Sequence, residues 1–395
     1  MTSAPGPVPW CNVVGSSFER RFAQHLGAGV NACAFWKGRV AFYATLRALG
    51  VGLGDEVIVP GFTCVVVPNA VRLTGATPIY ADIESGGYNI DPHRVEEIIT
   101  SRTRALVVQH SFGIPAPIDS LLDLAMRHGL LVIEDCAHSV GGKHDDRRLG
   151  TFGDAAFFSF QWSKPLTTGM GGMAVTSDVV LADRLRRVHR GTVPPPITAQ
   201  MQLYAQYHAH ARLFSPRLAW HAQDALRVVS RLGLFVGSSS EAELDGAMPS
   251  DHNWRMASFQ QAVGERLLWT VPERNAHAEA LAARYDAALQ NAGWTTPSRP
   301  SGAALLRYPV RVANKDRLLQ AARQARVEVG SWFETPLHPV ALEKHARFGY
   351  VVGQCPNAEH TARQLVNLPL HPGVSAAEAD RTVRFFLARA ARPAS

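Results

Sequence analysis

The chain has 395 residues, more than one ordinary core holds, and this length predicts two or three domains. Apolar residues make up 46% and charged residues 18%, the balance of a globular protein with a large core. No apolar run reaches about 18 residues, so no membrane span is expected, and Met1 to Val14 has neither the basic nor the apolar region of a signal peptide.

The formal net charge is +7. Lysine occurs only at Lys37, Lys143, Lys164, Lys315 and Lys344, and every other basic residue is arginine. Arginine's planar fork suits phosphate and carboxylate, although a GC-rich gene would yield the same composition. The basic residues are scattered, so nucleic-acid binding is not expected. Five irregularly spaced cysteines without a C-x-x-C pair predict neither a disulfide framework nor a zinc site, and a cytoplasmic location.

Residues 1–20 read as an N-terminal arm. A helix is expected over Gly38 to Leu49, stopped by Gly50 and Gly52. Strand-like Glu56 to Pro60, a short helix over Pro68 to Leu73 and strand-like Thr77 to Ala81 follow. Pro92 to Ile99 reads as helix, Ala105 to Gln109 as strand, Ile118 to His128 as helix and Leu130 to Ile133 as strand. Ala155 to Phe160 and Met173 to Thr176 complete the strands. Apolar strands alternating with helices predict an α/β fold, with a parallel or mixed sheet covered on both faces. Near residue 185 the character changes: residues 190–250 lack this alternation, and about 185–250 reads as a helical insertion, with helical stretches around Met201 to His210 and Leu218 to Leu232. From about Asn253 a long helix and a smaller α/β unit are expected, ending in a helix from Ala376 to about Ala390.

The chemistry concentrates in two places. Glu134 and Asp135 end a predicted parallel strand, where open α/β sheets bind ligands, although a helix cap or a surface acid reads the same way. Lys164 follows the apolar run Ala155 to Phe160 and precedes a glycine-rich turn, Gly169 to Gly172. Desolvation lowers a lysine pKa and makes the neutral amine a nucleophile; a plain loop lysine is the alternative. An aspartate and a lysine together suit pyridoxal phosphate (PLP), whose ring nitrogen needs an acid and whose aldehyde needs an amine. The cofactor phosphate needs backbone N–H groups at a helix start, and Gly38-Arg39-Val40 opens the first strong helix. Ser159 could add a hydroxyl.

With these pieces in hand, the chain resembles the DegT/DnrJ/EryC1/StrS family of PLP-dependent aminotransferases, known mostly for aminating keto groups on nucleotide-linked sugars. The resemblance rests on GVGLGDEVIVPGFTCVVVPNAV (50–71), GATPIYADI (75–83), IEDCAHSVGG (133–142), GTFGDAAFFSFQWSK (150–164), NWRMASFQQAVG (253–264) and LPLHPGVS (368–375), in this order. It covers the chain apart from about residues 185–250.

The resemblance implies an aspartate-aminotransferase-like fold (PLP fold type I). A large PLP-binding domain over 21–250, with a mostly parallel seven-stranded sheet and the 185–250 insertion, would precede a smaller C-terminal domain over 251–395. It implies Lys164 as the catalytic, cofactor-holding lysine, Asp135 beside the ring nitrogen and His138 beside the ring. Ser159, Gly38, Arg39 and Val40 would lie at the phosphate, with Asn253 reaching it from the neighbouring subunit of a homodimer. The partners implied are a small amino donor, glutamate or glutamine, and a keto acceptor.

Three departures stand out. Lys37-Gly38-Arg39 replaces the family's Ser-Gly-Thr. Cys64 stands where an aromatic residue normally stacks on the ring. Trp332-Phe333, ahead of Pro336-Leu337-His338, replaces a His-Tyr pair on the substrate side, so Trp332, Phe333 and His338 are candidate substrate contacts. Dehydration or aromatisation on the same scaffold, or a non-enzymatic regulatory homologue, are the alternatives to transamination; the intact Lys164, Asp135 and Ser159 argue against the last.

Overall fold

Strands such as EVIVP and TRALVVQ are apolar on both faces, so they can be stable only between two layers of helices. The computed structural model, which describes residues 17–213 and 240–393, places them in this way. The main strands are β1 (Asn31–Phe35), β2 (Glu56–Pro60), the short β3 (Thr63–Cys64), β4 (Thr77–Ala81), β5 (Thr103–Gln109) and β6 (Leu131–Asp135). A small hairpin, β7 (Lys143–His144) and β8 (Arg147–Arg148), precedes β9 (Ala155–Ser159) and β10 (Gly172–Thr176). The central sheet has seven strands in the order β1-β10-β9-β6-β5-β2-β4. Only β10 runs against the others, pairing antiparallel with both β1 and β9.

Among the helices, α1 (Ser17–Leu26), α2 (Gly38–Leu49), α3 (Val66–Leu73), α4 (Pro92–Glu96), α5 (Ile118–His128) and α6 (Val179–Arg190) flank this sheet. Helix α2 lies on β9 and β10, with Phe42 stacked 4.6 Å from Phe157. Next come α7 (Ile197–Leu213) and the single turn α8 (Glu241–Leu244). They are followed by α9 (Ser258–Leu268), α10 (Val271–Asn291), β11 (Tyr308–Arg311) and α11 (Lys315–Gln324). The chain closes with β12 (Leu337–His338), α12 (Pro356–Gln364), β13 (Leu365–Leu368) and α13 (Ala376–Arg389). β11 and β13 form a small antiparallel sheet, and β12 pairs in parallel with β3, setting His338 opposite Cys64. Among the described residues no helix is long and apolar enough to cross a membrane.

Most expected elements stand within two residues of their predicted limits, and four expectations change. The N-terminal arm ends earlier, because α1 begins at Ser17: Phe18 and Phe22 repeat at helical spacing and pack against Phe158 and Phe160. The strand predicted to stop at Ile133 runs through Asp135, since the edge of β9 continues alongside it. The helical insertion expected from about residue 185 would start inside α6, which continues to Arg190 because Leu181 and Leu185 bury an apolar stripe. The long helix expected from Asn253 is two helices, with Trp269 and Thr270 between them and Pro272 in the first turn of α10, where a missing N–H costs nothing. The Met201 to His210 stretch lies within α7, and Leu218 to Leu232 falls outside the described residues.

Candidate active site

Parallel strands deliver their last residues to one edge of the sheet, and there the sequence-predicted residues converge. A pocket there is walled by Gly38, Arg39, Cys64, Asp135, Ser159 and Lys164, with His138, Trp332 and Phe333 also on its surface. Three of the predicted residues stand off this wall. Val40 turns its side chain into the core, and its N–H bonds the Lys37 carbonyl at 3.1 Å. His338 sits behind Trp332 and Phe333, with ring centroids 6.0 and 5.4 Å away. Asn253 is partly buried outside the pocket, its carbonyl accepting the Val193 N–H at 3.0 Å.

Asp135 ends β6 and is buried, with Oδ1 accepting the Ala137 N–H at 2.9 Å. Burial raises its carboxyl to about 6, although the Ala137 N–H and the nearby Lys164 and His110 charges oppose the shift. Such a carboxyl is suited to exchanging a proton near neutrality. Lys164 stands in the loop after β9, its amine 4.5 Å from the centre of the Trp332 ring. Burial lowers the amine to about 8, with Cys64 and Asp135 opposing and Arg307 and Arg39 adding to the fall. His138 Nδ1 accepts the Phe112 N–H at 3.1 Å, which leaves Nε2 to carry any ring proton. Burial first, then the charges of Lys164 and Arg307, hold this imidazole neutral. Burial likewise pushes the Cys64 thiol up, so it is no thiolate at neutral pH.

The floor beneath Asp135 is a rigid polar network. Glu134, fully buried, accepts backbone N–H groups from Gly150, Phe152 and Gly153 at 2.7–2.9 Å and faces His110 Nε2 at 3.2 Å. His110 Nδ1 accepts the Ala116 N–H, so the ring donates to Glu134 through Nε2. The network ties β5, β6 and the turn before β9 together, fixing the strand that carries Asp135.

At the other end of the pocket α2 begins against the end of β9. A Cβ on Gly38 would lie 2.8 Å from the Ser159 Cβ, and one on Gly172 only 2.4 Å from the Lys37 carbonyl. No side chain caps the helix at Lys37. A helix N-terminus without a capping side chain, approached closely at glycine and flanked by Lys37, Arg39 and a serine hydroxyl, is an anion cradle. These residues fit PLP: a cradle for its phosphate, an acid for its ring nitrogen and a partly neutral amine for its aldehyde, around one pocket.

Sequence reasoning missed several residues here. Lys37 is buried, 2.6 Å from Asp251 and 3.8 Å from Glu243, while Arg39 lies 2.5 Å from Glu243. The scarcity of lysine was a signal for Lys37, but nothing local marks Glu243 or Asp251 as its partners. Gln109, on the pocket wall, is locked by Thr63, Phe62 and Ser111. Arg307, 5.2 Å from the Trp332 ring centre, was hidden among many arginines.

Comparison with known proteins identifies the family. Residues 14–386 match the DegT/DnrJ/EryC1/StrS aminotransferase family, a span that includes 185–250. The chain is 29% identical to the GDP-perosamine synthase of Caulobacter vibrioides over 95% of its own length and 90% of that protein. Over 48% of its length and 46% of the relative it is 39% identical to the L-glutamine:2-deoxy-scyllo-inosose aminotransferase of Streptomyces kanamyceticus. Among solved structures, DesV of S. venezuelae superposes with a TM-score of 0.72 at 28% identity, covering 94% of this chain and 87% of DesV. The chain therefore belongs to the DegT/DnrJ/EryC1/StrS aminotransferase family and is a PLP-dependent aminotransferase.

Proposed function

We propose that this enzyme moves an amino group from an amino-acid donor, glutamate or glutamine, to the keto group of a nucleotide-linked sugar or a related cyclic ketone. The observation that carries this reading is the convergence of Lys164, Asp135, Ser159 and the α2 N-terminus on one pocket. The substrate class is supported by two relatives, one named GDP-perosamine synthase and one named L-glutamine:2-deoxy-scyllo-inosose aminotransferase.

When bound, PLP supplies an electron sink for the donor and acceptor carbons. Lys164 would hold the cofactor's aldehyde carbon and carry the proton at Nζ. Asp135 would face the ring nitrogen and keep a proton there. Gly38, Arg39 and Ser159 would hold the phosphate. His138, a neutral imidazole, would lie beside the ring. Trp332 and Phe333 close the substrate side and exclude water. We further propose a homodimer in which Asn253 reaches the partner's phosphate site. We divide the chain near residue 250 into a cofactor-binding part and a smaller one that carries Trp332.

The test is spectroscopic. The purified protein should carry a visible absorbance band that glutamate or glutamine bleaches and a keto sugar restores, and Lys164→Ala should lack it. A band that no amino donor moves would sink the transaminase reading of the donor side; restoration by simple keto acids alone would sink the sugar acceptor.

A further inference from the structure

Arg307 is a largely buried cation with no ion pair among the described residues. Its Nε is sealed from solvent and has no hydrogen-bond partner. Among the described residues no carboxylate lies within ion-pair distance of it. Glu328 is the carboxylate whose charge it feels, and Glu328 Oε2 is already taken by His371 Nε2 at 2.8 Å. The Trp332 face, 5.2 Å from the guanidinium carbon, attracts the charge but accepts none of its in-plane N–H groups. Space is kept beside it by Gly330, where a Cβ would come within 3.2 Å of Nη1.

The surroundings are short of negative charge. The same Trp332 ring carries the Lys164 amine 4.5 Å from its centre. The imidazoles of His138 and His338 next to that ring are held neutral, by burial and by the positive charges of Lys164 and Arg307. Asp135 is the carboxyl on the pocket wall, and it lies on the Lys164 side. A desolvated cation without a partner is costly, and a fold that keeps one keeps it for an anion that arrives. The cofactor phosphate has its own cradle at the start of α2. Arginine's planar fork matches a carboxylate bidentately, and every amino-acid donor carries a carboxylate on the carbon next to its reacting nitrogen.

We propose that Arg307 binds the carboxylate of the amino-acid donor, aligning the donor nitrogen with the Lys164 end of the pocket across the Trp332 ring. This rests on the donor half of the proposed function. Arg307 is then a specificity residue for one half-reaction, since a keto sugar has no such carboxylate to offer it.

Two half-reactions of the PLP-loaded enzyme are measured separately in wild type, Arg307→Gln and Arg307→Lys: bleaching by L-glutamate or L-glutamine, and re-oxidation of the pyridoxamine form by the keto acceptor. In Arg307→Gln the donor KM should rise by about 30-fold, the loss of a charge-assisted fork, while the acceptor half-reaction stays within about twofold. Arg307→Lys should fall between. Acetate should compete with the donor in wild type and shift its tryptophan fluorescence through Trp332, and Arg307→Gln should lose both effects. A folded Arg307→Gln with an unchanged donor KM overturns the proposal, as does a loss confined to the acceptor half-reaction. If Arg307→Gln does not fold, acetate that neither competes nor shifts fluorescence in wild type and Arg307→Lys overturns it. A wild type that no amino acid bleaches defeats the donor reading itself, whereas acetate binding reports on Arg307 either way.

Discussion

Gly38 and Ser159 meet where α2 starts and β9 ends, so closely that a methyl group on Gly38 would sit 2.8 Å from the Ser159 Cβ. This contact presses the first amides of a helix against a strand hydroxyl, and it turns two ordinary residues into one anion site. Gly38→Ala should therefore do more than overpack the junction. Overpacking costs about 1–3 kcal/mol, read as a lower unfolding temperature of the apoprotein. Forcing α2 off β9 should also weaken PLP binding by about tenfold or more, read by titrating apoprotein with PLP. A destabilised variant that binds PLP as tightly as wild type would separate the contact from the phosphate site.

Burial lowers the Lys164 amine to about 8. Below that pH the neutral fraction falls tenfold per unit, so PLP capture by apoprotein, followed by visible absorbance, should rise with pH and level off above about 8. The stability consequence has the opposite sign from a salt bridge. The folded state disfavours the ammonium, so the cost is fully present below about 8 and vanishes above the ordinary value of 10.5. Lys164→Met should stabilise apoprotein at pH 7 by on the order of 2 kcal/mol, with the gain gone in strong alkali. A flat capture profile between pH 6 and 9 would contradict this.

Glu243 joins Arg39 and Lys37 from a turn some two hundred residues away in sequence. Burial pushes its carboxyl up, but the Arg39 and Lys37 charges and hydrogen bonds outweigh burial and hold it below the ordinary range. Its contribution is thus present above the unfolded value and is lost as pH falls through the folded one. Glu243→Gln should lower stability at pH 7 by about 2 kcal/mol, since it removes a buried carboxylate from Arg39 while Lys37 keeps Asp251, and the difference should shrink in acid. With Glu243 neutralised, the Arg39 and Lys37 end of the pocket should bind inorganic phosphate more tightly. A thermal melt at two pH values and a phosphate titration check both signs.

If Asn253 serves the partner's site, neither Lys164→Ala nor Asn253→Asp alone leaves a working homodimer, yet a mixed dimer holds one intact site. Mixing the two inactive proteins after reversible dissociation should restore about a quarter of wild-type activity, the statistical yield for a twofold dimer. No recovery in verified mixed dimers would place Asn253 in its own chain's site or in none.

Several of these relationships are legible in the sequence. Asp135 and Lys164 can be read locally because a strand end and a rare lysine are both marked there. The alternation of apolar runs and helices predicts the layered sheet. The Glu134 network is not legible, because its partners Gly150, Phe152 and Gly153 contribute backbone N–H groups that any residue could supply. The start of α1 is obscured by the Pro and Gly ahead of it, while Phe18 and Phe22 pack on Phe158 and Phe160, which lie far along the chain. Val40 looks like part of the phosphate site because it follows Gly38 and Arg39, but helical rotation turns it into the core.

By itself the sequence determined the element order, the strand ends that carry chemistry, and the pairing of one acid with one scarce lysine. These follow from local periodicity and from six short segments in a fixed order. Tertiary structure alone decided how the charges are matched: Lys37 with Asp251, Arg39 with Glu243, and Arg307 with no carboxylate within ion-pair distance among the described residues. Coulomb energy depends on distance and burial, and neither is a property of position along the chain.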